Sequence, residues 1–562
     1  MKFDKLKETM RNFDEQSLKN LLGDLKDSLL EWSINKNMMT KGNMIEIILS
    51  VNGLNLFNNE TFRYKFFCSL DKISVVKTFL ERANISAKND EQLALAKEAA
   101  KVPFKDNGAY RYLIHDYFGL TDYEFQLFDK GNPVEIIQRS GGKFYELFDY
   151  QYMIKQQVIN DLENKHKHLY KILVHMPTGT GKTKTTMHII AHYLNFISEG
   201  KGAVIWIAHS DELLEQAYNT FVSVWSHLAL FDINVYKGWI SYPTKICDGI
   251  LFTSIQALQQ KINKPIFEEL QERASLIIFD EVHKVGAPKY KECVDKLMLK
   301  GNAYGKKFIG LTATPGRTTD VSRQNILFKN DFDHYIGIDV DKINSISLTE
   351  NEARNYQGSK DPIKYFQEHN YLARIVPESL QFQLDAEIYE KLRKEFLGKR
   401  DDFSEKLLKE IGLNKSRNML IVEKLQELER EQVPTIVFAC SAQHAKMLSA
   451  FLRMINIDNS LVVNDIGSFE RNKAINDFRE GKVNIIINYG ILTTGFDSTN
   501  IKCVFITRPT KSVILYSQMI GRGLRGIRMG GNAECKLIDV KDNLEKFTDE
   551  SKSFMHFENY WR

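Results

Sequence analysis

Met176-Pro177-Thr178-Gly179-Thr180-Gly181-Lys182-Thr183 is the stretch that decides the fold. It directly follows the apolar run Ile172-Leu173-Val174 and opens a stretch of helical character. Glycines let successive backbone N–H groups wrap a phosphate chain, and the start of a helix adds a favourable partial positive charge. In this reading Pro177 to Gly181 form the cradle, Lys182 neutralises the β- and γ-phosphates, and the Thr183 hydroxyl holds Mg²⁺. The full pattern begins with glycine, and Met176 stands in that place. A chance glycine-rich turn is the alternative; the strand before and the helix after argue against it.

Outward from this loop, short apolar runs alternate with helical stretches. Ala203 to Ile207, Gly249 to Phe252, Leu276 to Phe279 and Phe308 to Leu311 form a first set with Ile172 to Val174. Thr435 to Ala439, Leu461 to Val463, Asn484 to Ile487, Ile501 to Ile506 and Cys535 to Val540 form a second. Runs this short and this apolar suit strands buried on both faces of a parallel sheet. Two successive α/β units follow. The expected division is 1–136, a mostly helical accessory domain; 137–325, the first α/β unit; and 326–562, the second, with a helical insertion near 385–432.

In the first part, Leu18, Leu21, Leu22, Leu25 and Leu29 recur at helical spacing, as do Leu93, Leu95 and Ala99. Thr121-Asp122-Tyr123-Glu124 has the form of a capping box. Nothing there carries recognisable chemistry.

The whole chain is 562 residues, 43% hydrophobic and 26% charged, which excludes a disordered chain. Its 76 basic and 72 acidic residues leave a net charge of +4, so any nucleic-acid surface must be local. Six cysteines lie scattered without a C-x-x-C pair, which argues against a structural zinc site and for reduced thiols. No uncharged run approaches a membrane span, and the N-terminus lacks a signal-peptide core. A cytoplasmic protein with no membrane partner is expected.

An ATPase built on such a loop needs an acid at a neighbouring strand end. Leu276-Ile277-Ile278-Phe279-Asp280-Glu281-Val282-His283 supplies two. Asp280 is expected to join Thr183 as a metal ligand, and Glu281 to polarise the attacking water. An isolated Asp-Glu pair would more often be a solvated strand end; the phosphate loop upstream changes that weighting.

Asp280-Glu281-Val282-His283 followed by Leu311-Thr312-Ala313-Thr314-Pro315 resembles motifs II and III of superfamily 2 helicases. Tyr516-Ser517-Gln518-Met519-Ile520-Gly521-Arg522-Gly523-Leu524-Arg525 is similar to motif VI, Ile491 to Asp497 to motif V, and Ile436 to Ser441 to motif IV. Ala208 to Gln216 resembles motif Ia, and Phe252-Thr253-Ser254-Ile255-Gln256 the next strand-end motif. All occur in the family's order over about residues 143 to 540. The wording of motifs V and VI is similar to RadD-type repair helicases and to the motor subunits of type I and type III restriction enzymes. DEAD-box RNA helicases carry Ala and Asp where Val282 and His283 stand.

The resemblance implies two tandem RecA-like domains with ATP and Mg²⁺ between them. It implies a catalytic set of Lys182, Asp280, Glu281, Gln518, Arg522 and Arg525. The spacing of the last two places both guanidiniums on one helix face, as arginine fingers. Gly495 and Asp497 join the nucleotide site, and Tyr150 and Gln151 correspond to the family's base-holding L-R-x-Y-Q. Phe148 replaces the arginine there, which puts adenine selectivity in doubt. His209, Thr253, Ser254, Gln256, Thr312, Thr314, Ser441, Thr493 and Thr494 are expected to contact nucleic acid or couple it to phosphate state. For each hydroxyl, a helix cap is the competing reading.

The implied activity is an ATP-dependent DNA translocase or helicase, in repair or antiviral defence, moving 3′ to 5′. Any nuclease would come from a partner docked on the N-terminal domain; Asp539-Val540-Lys541 is read as the end of a strand. The alternatives are an ATP-switched clamp or sensor in a multi-protein assembly, and an RNA helicase.

Overall fold

The computed structural model describes residues 3–23, 25–32, 39–86, 90–105, 107–120, 131–141, 146–163, 169–283, 288–299, 305–313, 331–347, 361–398, 402–493 and 498–540. Thr314, Thr494, Gly495, Asp497, Lys541 and the stretch 121–124 lie outside them.

Two sheets carry the site. The first contains β1 (Val134–Ile137), β2 (Leu169–His175), β3 (Ala203–Ala208), β4 (Ile233–Lys237), β5 (Gly249–Ser254), β6 (Ala274–Asp280), β7 (Lys306–Thr312) and β8 (His334–Ile336), in spatial order β1-β4-β5-β3-β6-β7-β2-β8. The second contains β9 (Arg374–Leu380), β10 (Thr435–Phe438), β11 (Ser460–Val462), β12 (Ile485–Asn488), β13 (Cys503–Ile506) and β14 (Glu534–Val540), ordered β11-β12-β10-β13-β14-β9. All pairs in the second sheet are parallel. The first is parallel except where β1 runs antiparallel to β4. Every residue of β3, β6 and β7 is buried, as strands covered by helices on both faces must be. The α/β fold with tandem RecA-like domains and a helical N-terminal region is therefore the fold of this chain.

Four strands lie beyond the apolar runs of the sequence. β1 straddles residue 136 and joins the first sheet, and β8 returns to that sheet from beyond residue 326. β4 and β9 are the others, and β9 alternates between exposed and half-buried positions. β1, β8 and β9 lie at sheet edges and are partly exposed, so they show no continuous apolar run, whereas β4 lies inside the first sheet and is mostly buried.

The N-terminal helices are not a separate appendage. Glu15–Leu22 and Leu25–Trp32 are separated at Gly23, where φ is +54°. Leu18, Leu22, Leu25 and Leu29 are buried; Leu95 and Ala99 are buried on the helix Gln92–Lys101, whereas Leu93 faces solvent. Their core is continuous with the face of the second sheet that holds Val437, Ile485 and Phe505. At the junction Glu470 Oε1 accepts the Leu54 N–H at 2.8 Å. Burial pushes the Glu470 carboxyl above its ordinary pKa.

Candidate active site

The phosphate loop leaves β2 at His175 and enters the helix Lys182–His192. Gly179 and Gly181 have φ of +85° and +82°, the left-handed backbone that glycine adopts at no steric cost. A Cβ at Gly181 would lie 2.5 Å from Gln151 Nε2, so the buried amide would have to shift. Thr180 is buried, and its hydroxyl closes the loop on the Pro177 carbonyl at 2.7 Å.

A cleft cavity of about 350 Å³ lies between the lobes. From the first lobe it is lined by Pro177, Thr178, Gly179, Gly181, Lys182 and Thr183, with Asp280 and Glu281 from the end of β6. From the second come Arg522, Arg525 and Arg528. Lys182 Nζ lies 3.5 Å from Glu281 Oε1, both only slightly exposed. Glu281 has φ of +55°, a left-handed conformation that costs a non-glycine residue roughly 1–2 kcal/mol and persists because the surrounding structure holds it. His283 Nδ1 lies 3.4 Å from Glu281 Oε2 and 3.1 Å from Thr312 Oγ1. A hydroxyl, two carboxylates and a lysine converging on one cleft fit a magnesium–triphosphate group, with Thr183 and Asp280 the residues that would hold the metal.

A buried link joins the phosphate strand to the segment after β7. His175 contacts the Ala313 carbonyl through Nε2 at 3.1 Å and the Tyr335 hydroxyl through Nδ1 at 2.7 Å. Only an Nε2–H tautomer can donate to that carbonyl, so Nδ1 accepts from Tyr335. Burial lowers the His175 pKa to about 3 and keeps the ring neutral.

Three placements differ from the sequence expectation. Arg522 and Arg525 do not share a helix face, because the helix Val513–Ile520 ends before them. They sit on the turn beyond it, where Gly521 packs so closely that a Cβ would lie 2.4 Å from Thr178 Cγ2. Arg522 Nε donates to the Gln518 carbonyl at 3.2 Å, while the Gln518 side chain is buried outside the cavity lining. Tyr150 and Gln151 are fully buried behind the loop rather than beside a base. Both donate to the Thr180 carbonyl, at 2.8 and 2.9 Å.

The strand-end hydroxyls also divide. Ser254 and Ser441 cap helices by accepting from Ala257 N and His444 N, each at 3.1 Å. Thr253 and Thr312 are sealed from solvent, so neither can touch a bound strand here. Thr493 is buried against the Gly490 carbonyl, His209 packs between Phe279 and Tyr290, and Gln256 is exposed. Arg528 and Met529 line the cavity and escaped the motif reading, and Phe148, read only as a replacement for the family's arginine, lines it too. The one signal for Arg528 was its position three residues beyond Arg525.

Fold and site together define a two-lobed nucleotide-binding core of the helicase kind. Residues 144–317 match the family model described as type III restriction enzyme, res subunit, and residues 417–526 match the helicase conserved C-terminal domain. The chain belongs to the superfamily 2 helicases. It is 25% identical over 385 residues to the Saccharomyces cerevisiae protein named as ATP-dependent helicase IRC3, covering 67% of this chain and 49% of that one. The Schizosaccharomyces pombe relative, named as mitochondrial ATP-dependent helicase irc3, is 27% identical over 67% of this chain and 54% of its own length. An Escherichia coli type I restriction enzyme EcoAI endonuclease subunit is 24% identical over 68% and 44%. The chain thus spans about half the length of these relatives.

Proposed function

We propose that this chain is a cytoplasmic, ATP-driven motor on DNA, acting in repair or in defence against foreign DNA, with any cutting done by a partner nuclease. The observation that carries the reading is the meeting of Lys182, Asp280 and Glu281 from one lobe with Arg522 and Arg525 from the other in a single cavity. Lys182 neutralises the terminal phosphates from behind. The arginines stabilise charge that develops on the transferred phosphoryl oxygens. Glu281 is the residue that would take a proton from the attacking water. The bound metal supplies further neutralisation of the phosphate oxygens.

Loss of the γ-phosphate removes the contact common to both lobes, so they separate and the grip on a strand alternates. Exposed Gln256 remains a candidate contact, and half-buried Ser254 keeps its hydroxyl hydrogen for a phosphate while its oxygen caps a helix, whereas Ser441 is buried. The relation to restriction-enzyme subunits supports DNA and a nuclease partner. All six cysteines are thiols outside any disulfide, which supports a reducing compartment. The face of the N-terminal domain away from the second lobe is the proposed partner platform.

The deciding experiment is ATP hydrolysis by the full chain with single-stranded, duplex and forked DNA and with RNA. Stimulation by DNA is expected; stimulation by RNA alone overturns the DNA assignment. A clamp would hydrolyse ATP yet displace no strand and gain nothing from longer DNA.

A further inference from the structure

Two contacts leave one turn of the helix Ser468–Arg479 in different directions. Glu470 Oε1 accepts the Leu54 N–H of the N-terminal domain at 2.8 Å. Gly53, at φ +52°, lies so close that a Cβ there would stand 2.4 Å from Glu470 Cγ. One residue further on, Arg471 Nη2 lies 3.2 Å from Glu212 Oε1 of the first lobe. Consecutive residues of an α-helix point about 100° apart, so these neighbours reach separate bodies. Glu212 in turn opens the helix Asp211–Leu228, which contributes Leu213, Gln216 and Thr220 to the wall of the nucleotide cavity. Contacts therefore run from the N-terminal domain, through two adjacent residues of the second lobe, to the cavity wall of the first.

The ion pair is only partly in water. The Arg471 and Glu212 side chains are 20% and 25% exposed, and Arg471 Nε is sealed from solvent with no hydrogen-bond partner among the described residues. A guanidinium desolvated in this way gains from a facing carboxylate and loses when that partner is removed or reversed. The position of the pair gives it a task. The chain crosses from the first sheet to the second between β8 and β9, and there the crossing segment packs through rings: Phe366 lies 4.7 Å and Tyr371 5.0 Å from Tyr150. Contacts at the crossing persist when the lobes turn about it, as at a hinge. Arg471 and Glu212 lie outside the crossing and pair only once the lobes have approached.

We infer that Arg471 and Glu212 are positioning residues for hydrolysis: their ion pair latches the lobes in the approach that brings Arg522 and Arg525 into the cavity, and Glu470 anchors the latch helix on the N-terminal domain. The inference rests on the proposed hydrolysis at this site and adds a device that sets its rate. Neither residue of the pair lines the cavity, so each acts through the arginines rather than on the nucleotide. An ion pair of this exposure shifts an equilibrium by about 2- to 5-fold, and like charges in its place by about 10-fold or more.

The test compares ATP hydrolysis by the full chain, with single-stranded DNA and without, in Arg471→Glu, in Glu212→Arg and in the two combined. Each single reversal should lower kcat by about 10-fold or more, while affinity for a non-hydrolysable ATP analogue stays within about 3-fold. The combined exchange restores the attraction and should return kcat to within about 3-fold of the unsubstituted chain. A merely structural role would not be mended by reversing both charges. Single reversals that leave kcat unchanged, or an exchange no better than either single, overturn the inference. Glu470→Ala should lower kcat by about 2- to 5-fold and cost nothing further when added to Arg471→Ala; additive losses overturn the anchoring by the N-terminal domain. Solution X-ray scattering reads the lobes without turnover. Arg471→Glu should raise the radius of gyration and the exchange should return it, whereas an unchanged radius in the single reversal overturns the latch. If scattering responds while no form hydrolyses ATP, the latch stands and only the hydrolase reading fails.

Discussion

The two lobes place their charges by opposite means. In the first, Asp280 and Glu281 stand at the end of the buried strand β6 and Lys182 opens the helix after the phosphate loop, which is tied down from behind by Tyr150 and Gln151. In the second, Arg522, Arg525 and Arg528 sit on a glycine-broken turn past a helix, pinned by the Leu372–Arg525 bridge and by Tyr371. One side is a fixed floor and the other a lid that works only when the lobes meet. Contact is close in this conformation: Arg471 of the second lobe lies 3.2 Å from Glu212 of the first.

The contrast is most exposed to substitutions in the floor. Lys182→Ala should reduce kcat/KM by about 10⁴-fold or more and weaken nucleotide binding, because both ground and transition states lose the ammonium. Glu281→Gln should keep nucleotide affinity within a few-fold while kcat falls by about 10²–10⁴-fold, read by equilibrium binding beside single-turnover hydrolysis. On the lid, Arg525→Ala should cost about 10³-fold in kcat with binding nearly intact. A large rise in Kd for that variant would make the lid part of the floor and dissolve the contrast.

The smallest effect separates the lobes by stability. His175 in the first and His444 in the second are both buried, and burial lowers each pKa from 6.5 to about 3. Folded, both stay neutral, while the unfolded chain takes up protons below pH 6.5. Stability is therefore full above about 6.5 and falls as pH drops toward about 3, by up to about 1.4 kcal/mol per histidine for each pH unit. Denaturant melts at about pH 7.5 and about pH 5.5 should show this loss, and His444→Gln should remove only the second lobe's share. An identical pH dependence in that variant would mean the ring is protonated or exposed in the folded chain.

Local chemistry was legible wherever chain neighbours build it. The phosphate loop, the acids after β6 and the central strands announce themselves because a buried strand is apolar throughout and a phosphate cradle needs adjacent glycines. β9 did not announce itself, since it lies at the sheet edge, is partly exposed and carries Pro377, whereas the edge strand β11 is buried throughout and reads as an apolar run. Gln151 shows the other limit. Its position in a motif suggested a base contact, but only packing decides which way a buried amide turns, and here the Thr180 carbonyl claims it.

The sequence by itself determined that two α/β units carry a glycine-rich loop ending in Lys182-Thr183, an Asp280-Glu281 pair and distant arginines, because each of those is written in a few consecutive residues. Only the tertiary structure decided that Phe148, Tyr371 and Arg528 meet, that the arginines hang from a turn rather than a helix, and that the N-terminal helices share a core with the second lobe. Those outcomes depend on which surfaces exclude water together, and residues hundreds of positions apart share no local pattern that could encode it.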